Sequence, residues 1–126
     1  MAELFRRVIV MVPDLFVQSR VVEAAGKYGV EVMIAGPGFS TDTQSSGDGL
    51  LIVVDLDSSE YDPFVLAGEL RQTLGRGAVL LGFYPHIKRD LELRAVEAGF
   101  DHVVTSREFV KRLGELLGSE RGASGD

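Results

Sequence analysis

Short apolar runs alternate along this chain with segments whose apolar residues fall three and four positions apart. That alternation constrains the fold more than any other feature of the sequence. The runs are RVIVMV (Arg7–Val12), VEVMIA (Val30–Ala35), LLIVVDL (Leu50–Leu56), AVLLGF (Ala78–Phe83) and HVVT (His102–Thr105). A strand that is apolar at consecutive positions has no polar face to turn to water, so both of its faces are covered. Such strands, separated by helices, form a parallel sheet with helices on both sides.

The helical segments carry their own punctuation. Asp14 follows Pro13 and is placed to cap a helix whose apolar face is Val17, Val21, Ala24 or Ala25, and Tyr28. Gly29 stands where that helix ends with a positive φ. Asp62 and Pro63 form an N-cap and first-turn pair ahead of Leu66, Leu70 and Leu74, with an end near Gly75. Ile87, Leu91, Ala95 and Ala98 mark a helix closed by Gly99. Thr105 and Glu108 have capping-box spacing before Phe109, Val110, Leu113, Leu116 and Leu117. Between the second and third strands, GPGFSTDTQSSGDG (Gly36–Gly49) is rich in turn residues and reads as a loop. The helix that a parallel crossover normally contains is missing there or reduced to a turn. GSERGASGD (Gly118–Asp126) is small and polar. The expected organisation is one domain, residues 1–117, and a polar C-terminal tail, 118–126.

The expected fold class is a doubly wound α/β sandwich of five parallel strands in the order 2-1-3-4-5. Ligands of such sheets sit beyond the strand C-termini where the order reverses, here between strands one and three. Pro13, Asp14, Asp55 and Asp57 leave those strands. Asp14 and Asp55 are therefore expected side by side, and together with Asp57 they are the candidate metal positions, for a weak Mg²⁺ site. Without a cation, clustered carboxylates repel and one has a raised pKa. Each also has an ordinary role: Asp14 as a cap, Asp55 as the end of a buried strand, Asp57 with Ser58 and Ser59 as turn residues. His86 follows strand four at the same end and reads as a pocket residue or as an ordinary loop histidine. Phe83 reads as core and Tyr84 as a half-exposed ring. The GPGFS turn lacks a dinucleotide fingerprint and opens no helix.

Composition removes several classes. The absence of cysteine excludes disulfides, thiolate zinc sites and cysteine nucleophiles, and fits a cytoplasmic location. A formal net charge of −6 argues against nucleic-acid binding, which needs a basic face. No run approaches the roughly 20 apolar residues that span a bilayer. MAELFRRVIVMVPDL has no small-residue cleavage site, so neither a signal peptide nor membrane insertion is expected.

Three stretches carry a family resemblance. VPDLFVQSRVV, VVDLDSSEYDPF and AVEAGFDHVVTSREF resemble the acidic turn, the phospho-acceptor strand and the late stretch of CheY-like response-regulator receiver domains. The resemblance covers roughly residues 6 to 117 and implies a flavodoxin-like (CheY-like) fold and a cytoplasmic role in bacterial two-component signal transduction. It places Asp55 on the phospho-acceptor, Asp14 on the second acidic residue and Asp57 where a backbone carbonyl meets Mg²⁺. The first acidic residue is Pro13 here. The small hydroxyl after strand four is replaced by Phe83 or Tyr84, and the lysine after strand five is Ser106, preceded by Thr105. Lys88 and Arg89 are the substitutes nearest the site. The segment around His86 also resembles stand-alone bacterial receiver-like proteins with a histidine after strand four.

These departures imply a pseudo-receiver: a non-enzymatic regulatory module that acts through protein contacts, independently of phosphorylation, with no cofactor. The expected pocket residues are Tyr84, His86, Thr105 and Ser106. By the resemblance, a protein partner or a second copy meets the helix after strand four, strand five and the last helix. Lys88, Arg89, Arg94, Arg107, Lys111 and Arg112 concentrate basic charge there. The alternatives are a Mg²⁺-dependent receiver that accepts a phosphoryl group at Asp55, and a small-ligand sensor using the pocket over strands one and three.

Overall fold

A computed structural model describes residues 5–35 and 49–125, with side chains through 118. The elements run β1 (Arg7–Met11), α1 (Leu15–Lys27), β2 (Glu31–Ile34), β3 (Leu50–Asp55), α2 (Pro63–Leu74), β4 (Val79–Tyr84), α3 (Asp90–Ala98), β5 (His102–Thr105) and α4 (Phe109–Gly125). The strands form one parallel sheet in the order β2-β1-β3-β4-β5, as the pattern predicts. The segment expected to lack a helix lies outside the described residues. α4 continues to Gly125, across the 117/118 boundary suggested by composition.

Alternate residues of each central strand feed two cores. Ile9, Met11, Ile52, Val54, Leu80 and Tyr84 pack against Ala67, Leu70 and Leu74 of α2 and Leu91 and Ala95 of α3. Val8, Val10, Leu51, Val53, Leu81 and Phe83 pack against Val21, Ala24 and Ala25 of α1 and Phe109, Leu113 and Leu117 of α4. This is the two-sided burial that the consecutive apolar runs require in the central strands; β2, at the edge of the sheet, departs from it and leaves Met33 and Ile34 exposed.

The helix ends follow their side chains. Asp14 Oδ1 accepts from the Phe16 and Val17 amides at 2.8 and 3.3 Å. Asp62 Oδ1 accepts from Phe64 and Val65 at 3.0 and 3.3 Å, with Pro63 in the first turn. Thr105 Oγ1 accepts from the Glu108 amide at 3.3 Å. Gly29 has φ 68°, the left-handed geometry expected after α1. Two residues assigned to apolar helix faces are not on them. Ile87 lies in the turn before α3 and is 75% exposed, because α3 starts only at Asp90. Val110 points outward, since Phe109, Leu113 and Leu117 already occupy the inner face of α4.

Arg71 locks the opposite end of the sheet. Its guanidinium donates to the carbonyls of Gly75, Ala78 and Gly99 and to the Asp101 carboxylate, which also accepts from the Leu80 amide. One side chain thus joins α2, the start of β4 and the turn before β5.

Candidate functional site

Asp55 ends β3, opposite Phe83 of β4. Its Oδ1 accepts the Asp57 amide at 2.9 Å, an Asx turn that starts the loop to α2. Burial pushes the Asp55 carboxyl above its ordinary pKa; the Asp57 amide opposes this, and the charges of Asp57 and Asp14 add to it. The Asp55 amide donates to Tyr61 Oη at 3.2 Å, and Tyr61 Oη donates to the Met11 carbonyl at the end of β1. Tyr61 therefore ties the two strands across the point where the order reverses. Burial raises its pKa to about 12, so it stays a donor.

At the three expected metal positions one oxygen of each carboxylate is engaged by the protein itself. Among the described residues no three carboxylate or imidazole side chains gather in a group able to hold an ion. Each of them has other work. Asp14 Oδ1 caps α1, Asp55 Oδ1 holds the Asp57 amide, and Asp57 Oδ1 pairs with Lys88 Nζ at 2.9 Å. Pro13, in the position of a further acidic residue, offers no side-chain ligand. With Pro13 in place of a further acid, Asp14 and Asp55 are the carboxylates that would hold a weakly bound Mg²⁺ here.

Lys88 reaches this end of the sheet from the loop that follows β4, the strand beside Asp55. Residue 106, after β5, is a serine whose amide donates to the Tyr84 carbonyl at 2.8 Å. The lysine at this end of the sheet thus comes from the loop after β4 and not from the position after β5, and it is engaged by Asp57.

An open cavity of about 530 Å³ lies on the α1 and α4 side of these carboxylates. Asp14, Asp55, Asp57 and Ser106 form its polar end. Phe83 and Phe109, with ring centroids 4.6 Å apart, contribute apolar wall, and Phe16, Arg20, Arg107 and Val110 line it further. Of the four expected pocket residues only Ser106 is there. Tyr84 is buried on the opposite face, its hydroxyl donating to Glu92 at 3.1 Å, because side chains alternate along β4. It is not half-exposed. His86 sits in the exposed turn before α3, and Thr105 spends its hydroxyl on the cap of α4.

The six basic residues expected on one partner surface are divided. Lys88 pairs with Asp57, Arg107 lines the cavity, and Arg94 lies over the Phe64 ring of α2 at 4.2 Å. Arg112 pairs with Glu115 at 3.4 Å and approaches His102 Nδ1 at 3.5 Å. Arg89 and Lys111 are exposed. Three-dimensional packing, not helix membership, decides where each long side chain ends. His102, expected without a partner, has Arg112 beside it; burial, then that guanidinium, lowers its pKa.

Residues of the site that the sequence pattern did not assign to it include Tyr61, Phe16 and Arg20, and also Arg107, Phe109 and Val110, which it assigned elsewhere. Phe16 and Arg20 carried a signal: they are four apart in the first turns of α1, and Arg20 lies 4.8 Å from the Phe16 ring centroid. Tyr61 had none, since its partner Met11 is 50 residues away.

No protein-family model matches the chain, and no curated protein matches its sequence. Solved structures do match its fold. A response regulator from Thermotoga maritima superposes with a TM-score of 0.67 at 17% identity, over 91% of this chain and 99% of that one. The BeF3-activated receiver domain of DrrB, an OmpR/PhoB homolog of the same organism, gives 0.69 at 16% identity, over 90% and 98%. A CheY-like receiver domain protein from Methanospirillum hungatei JF-1 gives 0.67 at 12%, over 94% and 98%. Strand order, two-sided burial and these likenesses together give the chain the CheY-like, flavodoxin-like fold of response-regulator receiver domains.

Proposed function

We propose that the chain is a receiver-like signalling module that works through protein contacts, without phosphorylation at Asp55 and without catalysing a reaction. One observation carries this reading: of the groups expected to gather charge at Asp55, Asp14 and Lys88 are engaged elsewhere and position 106 is a serine. Forming an acyl phosphate on a carboxylate needs cations to neutralise the developing charge. Here Asp14 caps a helix, Lys88 is held by Asp57, and position 106 carries no cation. The aromatic pair Phe83–Phe109 fills space beside Asp55 with side chains that cannot bind a phosphate oxygen.

A partner protein or a second copy of the chain meets the surface of α3, β5 and α4. Leu93 and Val96, both more than half exposed, give α3 an apolar outer stripe, and Lys111 adds charge on α4. No helix among the described residues is long and apolar enough to cross a membrane.

The test is a titration with Mg²⁺ and beryllofluoride followed by backbone NMR, with Asp55→Asn as control. A spectrum unchanged at millimolar ligand is expected. Saturable shifts around Asp14, Asp55 and Ser106 that vanish in the variant would replace this reading with a phospho-accepting receiver.

A further inference from the structure

The cavity beside Asp55 has a lining that a phosphoryl site does not need. Its volume of about 530 Å³ is in the range of sites for small organic molecules, roughly 300–1,000 Å³. Phe16 stands at this cavity 66% exposed and offers a ring face to it. Val110 is a second apolar lining residue left 39% exposed, and Phe83 and Phe109 supply aromatic surface.

Two guanidiniums line the same space. Arg20 lies over the Phe16 ring, and Arg107 comes from the loop before α4; neither has an ion-pair partner among the described residues. Guanidinium groups bind carboxylates and phosphates through paired, directed hydrogen bonds. The carboxylates across the cavity do not cancel them evenly, because Asp57 is neutralised by Lys88 and Asp14 is turned to the first amides of α1.

We propose that this cavity binds a small aromatic anion, its ring against Phe16 and the Phe83–Phe109 pair and its carboxylate or phosphate on Arg20 and Arg107. Asp55, at the polar end, accepts from a hydrogen-bond donor on such a ligand.

The probes are benzoate and phenyl phosphate, each compared with its ring-free counterpart, acetate or inorganic phosphate, by amide shifts of the full chain. The expected result is saturable shifts at Phe16, Arg20, Ser106, Arg107 and Val110 with at least one aromatic probe. The same shifts need about tenfold more of the ring-free anion. Whichever aromatic probe binds more tightly identifies the anionic group. Arg20→Gln and Arg107→Gln each weaken binding by about tenfold, with amide shifts elsewhere unchanged. Both arginines are on the surface, so the fold survives; Phe16→Ala, which removes the ring platform and leaves both charges, is the second variant and also weakens binding. No saturable shift with either aromatic probe, equal response to acetate or phosphate alone, or affinity unaltered in all three variants would overturn the proposal. None of these outcomes bears on the beryllofluoride result.

Discussion

Replacing Phe83 and Phe109 by leucine, singly and together, measures how much the aromatic pair beside Asp55 holds in place. The two rings are 6% and 3% exposed as residues, with centroids 4.6 Å apart and planes tilted by 36°. Each single change keeps an apolar side chain but loses buried contacts, and is expected to cost about 1–2 kcal/mol. A tilted aromatic pair contributes about 0.5–1.5 kcal/mol beyond the area it buries. Either single variant already loses that contribution, so the double variant is expected to be about 1 kcal/mol less destabilised than the sum of the singles. The chain has no tryptophan, so urea unfolding is followed by far-UV circular dichroism. With a slope of about 2 kcal/mol per molar, the shortfall appears as a midpoint about 0.5 M higher than additivity predicts. Additivity within about 0.3 kcal/mol would refute the reasoning, and the rings would then be independent pieces of core.

Asp55→Asn is expected to stabilise the fold near neutral pH. The folded carboxyl holds its proton to higher pH than the unfolded chain, so stability is lost as pH rises from the unfolded value of 3.8 through the folded one. Asparagine keeps the acceptor for the Asp57 amide, so its thermal-midpoint advantage at about pH 7 should vanish near pH 3; no gain at about pH 7 would contradict the burial argument. Arg71→Met is expected to cost about 2–3 kcal/mol, because it strips charge-assisted hydrogen bonds from three carbonyls and from Asp101. A loss below about 0.5 kcal/mol in urea unfolding would mean that water replaces them. Gly118→Ala should destabilise α4 against α1, since the added methyl would come within 2.8 Å of the Tyr28 ring. A lowered midpoint restored by Tyr28→Leu checks the clash.

The sequence by itself determined the strands, most helix ends and the sheet order. Consecutive apolar residues leave the central strands no exposed face, and Asp14, Asp62 and Thr105 cap helices through bonds spanning two or three residues. Such signals are local and survive without any knowledge of the rest of the chain. It also placed Asp14, Asp55, Asp57 and Ser106 at one end of the sheet, because parallel order alone brings the strand ends together. What it left undecided depended on where β4 stops and on contacts between distant loops. A one-residue ambiguity between Phe83 and Tyr84 exchanges the two faces of the sheet, so only the tertiary register put the phenylalanine in the cavity and the tyrosine against Glu92. Lys88 meets Asp57 across 31 residues, and Tyr61 meets Met11 across 50. No periodicity encodes pairs so far apart, and long side chains reach whatever the packing puts beside them. The tertiary structure therefore decided that the acidic end of the sheet carries its own lysine, and that Arg20 and Arg107 line the space beside it.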